Sequence, residues 1–109
     1  MKTVSIAEIQ AATAQHFGTT VTALLARDRH KSIAFARMLS MGLCRLYTRA
    51  SFPEIGRAFS GRDHTTVMHA CRRLVELRKT DAIARRHIDA LILALDVTTG
   101  PVEPLEMCA

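Results

Sequence analysis

Arg62-Asp63-His64-Thr65-Thr66, with His69 a turn further on, gathers a guanidinium, a carboxylate, two imidazoles and two hydroxyls into a short stretch of chain. Each of these groups donates or accepts hydrogen bonds, and the two threonines add a methyl each. In the major groove of a duplex such groups meet their complements. Asp63 accepts from a cytosine amino group, a threonine methyl touches the thymine C5-methyl, and an imidazole donates or accepts according to its tautomer. A competing chemistry is a metal or a catalytic base built on Asp63, His64 and His69. A zinc or nuclease centre needs further ligands, and the sequence offers no second cluster of Cys, His or carboxylates; Cys44, Cys71 and Cys108 lack metal-ligand spacing. The expectation is therefore no enzyme, no metal, no cofactor and no small-molecule substrate.

The residues around this stretch dictate how it is presented. Ser51 followed three residues later by Glu54 is a capping box, and Pro53 suits a first helical turn, where its missing N–H has no intrahelical partner. A helix over about 52–59 follows. Gly61 supplies the positive φ that ends it, and Asp63 is a good N-cap for the next. Val67, Ala70, Cys71, Leu74 and Leu77 then recur at helical spacing as one apolar stripe, leaving Thr65, His69, Arg72, Arg73 and Glu76 on the opposite face. Two helices around a glycine turn make a helix-turn-helix, in which the second helix offers its N-terminal residues to base edges.

Phe52-Pro53-Glu54-Ile55-Gly56, then Gly61-Arg62-Asp63-His64-Thr65-Thr66-Val67 and His69-Ala70-Cys71, resemble the signature of the C-terminal DNA-binding domain (domain IV) of DnaA, the bacterial chromosomal replication initiator. The similarity extends more weakly from about Ile6 to Leu95. It implies that Asp63, His64 and Thr65 are the main major-groove readers, that Arg62 and Thr66 assist, and that Pro53 lies near the groove. His69 joins them on its groove chemistry. Arg29 matches the arginine that the family inserts into the adjacent minor groove, which is narrow and strongly negative where A·T-rich. Lys31, Arg37 and Arg45 are candidate phosphate clamps. Arg72 and Arg73 are further candidates, although basic residues late in a helix also serve its dipole. Two departures stand out: Ser60 occupies the place of a second turn glycine, and Phe35-Ala36 replaces a more basic, proline-containing stretch.

The rest of the chain must support this unit, and it reads as helix throughout. Ser5 and Glu8 form another capping box, opening a helix over about 6–17 with Ile6, Ile9, Thr13 and Phe17 on one face and Gly18 as its stop. Thr20 caps a short helix through Val21, Leu24 and Leu25. Residues 27–31 form a polar, basic connection, and a long helix runs from Ser32 to about Tyr47 with Phe35, Leu39, Leu43 and Leu46 stacked on one side. Met38 and Met41 read as core filler. Asp81 caps a last helix containing Ala84, Ile88, Leu91, Ile92 and Leu95. The expected fold is all-α, a compact bundle of about six helices of the TrpR/DnaA domain IV type. It spans 1–97, and 98–109 form a disordered tail.

Composition narrows the function classes. Hydrophobic residues make up 49 per cent of 109, enough for one packed core. No apolar run approaches the roughly 20 residues of a membrane span, and no signal-peptide segment opens the chain, so a cytoplasmic, nucleoid-associated protein is expected. Between Arg27 and Lys79 there are twelve Lys or Arg against four acids, a net +8, whereas Asp96 to Ala109 holds three acids and no base. Such a basic section is the electrostatic footprint of a polyanion partner, double-stranded DNA above all. The sequence also lacks the phosphate-cradling loop ending in Gly-Lys-Ser or Gly-Lys-Thr on which an initiator's ATPase depends. The expected function is sequence-specific binding to DnaA-box-like sites in replication initiation or its regulation, without an ATPase of its own. The alternative keeps the helix-turn-helix as a scaffold and makes the chain an adaptor that binds the initiator or its regulators. One such domain can occupy an asymmetric site alone, so a monomer is expected.

Overall fold

The computed structural model describes residues 4–27 and 30–96. Six helices follow one another along the chain, α1 (Ile6–His16), α2 (Val21–Leu25), α3 (Lys31–Tyr47), α4 (Phe52–Ala58), α5 (His64–Thr80) and α6 (Ala82–Ala94), with no strand among the described residues. Each boundary has a chemical cause. Both capping boxes are closed: Ser5 Oγ accepts from Glu8 N and Ser51 Oγ from Glu54 N, and each glutamate accepts in return from the N–H of its cap serine. Thr20, Asp63 and Asp81 cap α2, α5 and α6 through side-chain oxygens. Each such cap is worth about 0.5–2 kcal/mol against alanine.

α3 is the exception. Its N-cap, His30, makes no side-chain cap bond, and Lys31 forms the first helical residue instead of closing the polar connection. The helix starts there without a local signal because its hold comes from packing: α3 meets α5 along the most extensive helix contact in the fold and also touches α1, α2 and α4.

The core lies between α3 and α5, closed by α1 and α4 and, against α5 and α1, by α6. Ile9, Leu39, Leu43, Leu46, Ile55, Phe59, Val67, Leu74, Ile88 and Leu91 are all fully buried. Removing a side chain of this size from water is worth about 1.5–3 kcal/mol, so the apolar stripes outweigh the few tenths at stake in individual helix propensities. All five stripe positions expected in α5 are buried, as are Cys44 and Cys71, and burial pushes the Cys44 thiol pKa well above its ordinary range. Met41 is buried and Met38 half-buried.

Polar ties add cross-links that no apolar pattern announces. Gln10, buried on α1, donates through Nε2 to the carbonyl of Ala58 at the end of α4, at 3.0 Å. His16 Nε2 and His87 Nδ1 lie 2.9 Å apart and join α1 to α6, with His16 packed edge-to-face on Phe17 and His87 edge-to-face on Phe35. Phe35 is thus engaged in an aromatic cluster. The expected tail, 98–109, lies outside the described residues, and none of the helices described is long and apolar enough to cross a membrane.

Candidate nucleic-acid interface

The turn between α4 and α5 sets the direction of everything beyond it. Ser60 and Gly61 both adopt left-handed backbone, with φ of 63° and 71°. The Gly56 carbonyl accepts from Phe59 N at 3.1 Å and from Arg62 N at 2.9 Å, so the chain folds back tightly on α4. Gly56 is what permits this approach: a β-carbon there would lie 2.2 Å from the Arg62 carbonyl oxygen.

At the mouth of the turn the start of α5 stands out from the body. Asp63, His64, Thr65, Thr66 and His69 are all exposed, while Val67 and Ala70 turn into the core. Asp63 Oδ1 accepts from both the N–H and the hydroxyl of Thr65, each at 2.8 Å, and lies 3.3 Å from His64 Nδ1. The Thr65 hydroxyl, having spent its proton on Asp63, presents its lone pairs outward. Thr66, His69 and Arg73 border an open groove of about 560 Å³ floored by Ala34, Met38 and Met41 of α3, so the flank of α5 beside the tip is also uncovered.

The N–H and hydroxyl of Thr65 hold the Asp63 carboxyl below its usual pKa, as the N–H and hydroxyl of Ser51 do for Glu54. Asp63 is then an acceptor at neutral pH, suited to an amino group and unsuited to a bare phosphate. The sign for stability follows. Groups with depressed folded-state pKa stabilise above their ordinary range, and the contribution disappears as pH falls through the lowered values. Acid titration followed by far-UV circular dichroism should show helix loss in that window. Asp63→Asn, which keeps a cap acceptor without a titrating proton, should remove the share of the profile due to α5. Superimposable acid profiles for the two proteins would contradict this account of the cap.

The expected phosphate clamps part company. Lys31, Arg72 and Arg73 are exposed. Arg73 reaches Glu76 at 3.3 Å, but both side chains are more than half exposed, and a pair of that kind is worth about 0.2–1 kcal/mol and is readily given up. Arg45 is half-buried, with Nη1 donating to the Ala50 carbonyl at 3.1 Å and its guanidinium 4.4 Å above the Phe52 ring, beside exposed Pro53 in the first turn of α4. Arg29 lies outside the described residues.

Arg37 and Arg62 require correction. Arg37 is only 7 per cent exposed; its Nε donates to the Leu24 carbonyl and its Nη2 to that of Ala26, each at 2.7 Å. A guanidinium turned inward onto peptide carbonyls is not a clamp for DNA. Arg62, expected to assist the main readers through bases or phosphates, is half-buried and donates to the carbonyls of Phe59, Leu25 and Ala26 at 2.6, 3.2 and 2.9 Å. Burial first, then the neighbouring Arg37 and Arg27, pulls its pKa below the usual arginine range. The sequence held one signal for Arg37, which shares a helix face with Met41 and Cys44 at i+4 and i+7 and so points inward; Arg62, in a turn, offered none.

Among the described residues no group of three His, Cys, Asp or Glu side chains could hold a metal ion. The sequence matches the family described as bacterial dnaA protein helix-turn-helix over residues 6–74, more than half of the chain, and the match includes α1 to α4 and most of α5.

Proposed function

The chain belongs to the bacterial DnaA helix-turn-helix family, a family of DNA-binding domains from replication initiators, and from this membership we propose that it reads short DnaA-box-like duplex sites through the amino end of α5. The observation that carries the proposal is the exposed polar tip, Asp63 to Thr66, held outward by the Ser60-Gly61 turn at the edge of a section with net charge +8.

In this reading α5 enters the major groove tip first. His64 and Thr65 contact base edges, Asp63 accepts from a cytosine amino group, and Thr66 and His69 touch the neighbouring step. Pro53 borders the groove from α4. Arg29 enters the adjacent minor groove from the connection between α2 and α3. Lys31, Arg45, Arg72 and Arg73 hold phosphates and set register without reading sequence. The chain serves replication initiation or its regulation by occupying sites, and this occupancy requires no nucleotide.

Fluorescence anisotropy with an initiator-box duplex and a scrambled duplex of equal composition tests the reading. His64→Ala and Thr65→Ala should each cost about 1–3 kcal/mol on the box, roughly 5- to 150-fold, and change binding to the scrambled duplex little. Equal losses on both duplexes would remove these residues from the base-reading set. A wild-type chain that fails to prefer the box would overturn the function itself.

A further inference from the structure

α2 is a single short helix, and the carbonyls at its end have no partner within it. Side chains from elsewhere meet them. Leu24 O accepts from Arg37 Nε, Leu25 O from Ser60 Oγ at 2.7 Å and from Arg62 Nη1, and Ala26 O from Arg37 Nη2 and Arg62 Nη2. Arg27, just past α2, returns a bond to the Ser60 carbonyl at 2.9 Å. The two segments joined are the end of α2, which leads into the 27–30 connection, and the turn that aims α5.

Three features make this network more than a filler of orphan carbonyls. α2 packs chiefly on α1 and α3, where Arg37 holds its end, so the bonds of Ser60, Arg62 and Arg27 are what tie it to the α4–α5 turn. Most of them are charge-assisted, the stronger class of hydrogen bond. Ser60 also keeps a left-handed φ of 63° that a glycine would adopt without strain, and its Oγ makes the bond to Leu25 that a glycine cannot.

We propose that Ser60 and Arg62, with Arg27 and Arg37, are positioning residues that fix the distance between the tip of α5 and the end of α2, and thereby the base-pair spacing over which one DNA site is read. The inference rests on the functional reading above, in which α5 and Arg29, which follows α2 in sequence, contact the same site from adjacent grooves. A rigid link makes the second contact follow from the first; a loosened link lets each find its own register.

The test is a spacing scan. Binding of the wild type, Ser60→Gly and Arg62→Lys is measured on an initiator-box duplex and on duplexes with one base pair inserted at each step of it. Ser60→Gly suits the turn's backbone and should fold, and thermal unfolding of each variant reports stability separately. The wild type should lose about tenfold or more at the insertion that separates the two contacts, within the ordinary range of coupling between sites. The two variants should bind the parent box more weakly yet show a penalty for that insertion reduced severalfold. A purely structural role would lower melting temperature and weaken all duplexes in proportion; an unchanged insertion penalty in both variants would therefore overturn the inference. So would a wild type that discriminates box from scrambled duplex but tolerates every insertion. A wild type that fails to discriminate at all overturns the functional reading, and the inference with it.

Discussion

Raising monovalent salt from about 50 to about 200 mM should weaken binding to a box duplex by roughly 100- to 200-fold, because about four phosphate contacts, each contributing about −0.9, give a slope near −3.6 in log K against log salt. The four are the candidates that remain once Arg37 is assigned to the interior: Lys31, Arg45, Arg72 and Arg73. The basic section offers enough charge for this, since the acids within it are few and Asp63 and Glu54 are engaged as helix caps. Arg72→Ala and Arg73→Ala should each reduce the slope by about 1 while leaving the box-to-scrambled ratio nearly unchanged, as contacts to backbone and not to bases require. Arg37→Lys should leave the slope where it is. A slope shallower than about −2 in the wild type would mean that this face does not track a phosphate backbone.

Gly56→Ala should have the largest effect of any single methyl in the molecule. The added carbon would sit 2.2 Å from Arg62 O and 3.2 Å from Arg62 C, and both are backbone atoms within a turn already fastened by Arg62 N to Gly56 O. No side-chain rotation relieves such a clash, so α4 and the start of α5 must separate. A loss of about 3 kcal/mol or more is expected, at or above the upper end of ordinary overpacking, and a large fraction of a small domain's total stability. Urea denaturation measures the first effect, and anisotropy on the box measures the second, since the α5 tip would be displaced along with the turn. Gly61→Ala is the control. It also introduces a methyl, at φ +71°, but nothing lies within 4 Å of the new carbon, so only the left-handed penalty of about 1–2 kcal/mol applies. A Gly56→Ala chain as stable as Gly61→Ala would show that the turn yields more easily than its packing indicates.

These expectations divide along the same line as the features that were legible in the sequence and those that were not. Ser5 with Glu8, Ser51 with Glu54, Thr20, Asp63, Asp81 and Gly61 each act on backbone groups within four residues of themselves, and each marks a boundary found in the structure. The apolar stripe from Val67 to Leu77 fixes which face of α5 is buried, and hence which residues at its tip remain outside. Local chemistry and periodicity are enough for this because caps and stripes are short-range features written in side-chain type.

Arg37, Arg62 and Ser60 are different. Charge made Arg37, and the family resemblance Arg62, look like DNA contacts, and Ser60 stood out only as a departure from a turn glycine. Their partners are the carbonyls of Leu24, Leu25 and Ala26, up to 37 residues away. Gln10 and Ala58 are 48 residues apart and meet the same way. Every residue carries a carbonyl, so an acceptor of this kind leaves no mark in the sequence, and only the folded chain determines which guanidinium it captures. The amino acids alone therefore determined the helices, the turn and the polar end of α5; tertiary packing decided which cations face outward and which are spent holding the reading elements in place.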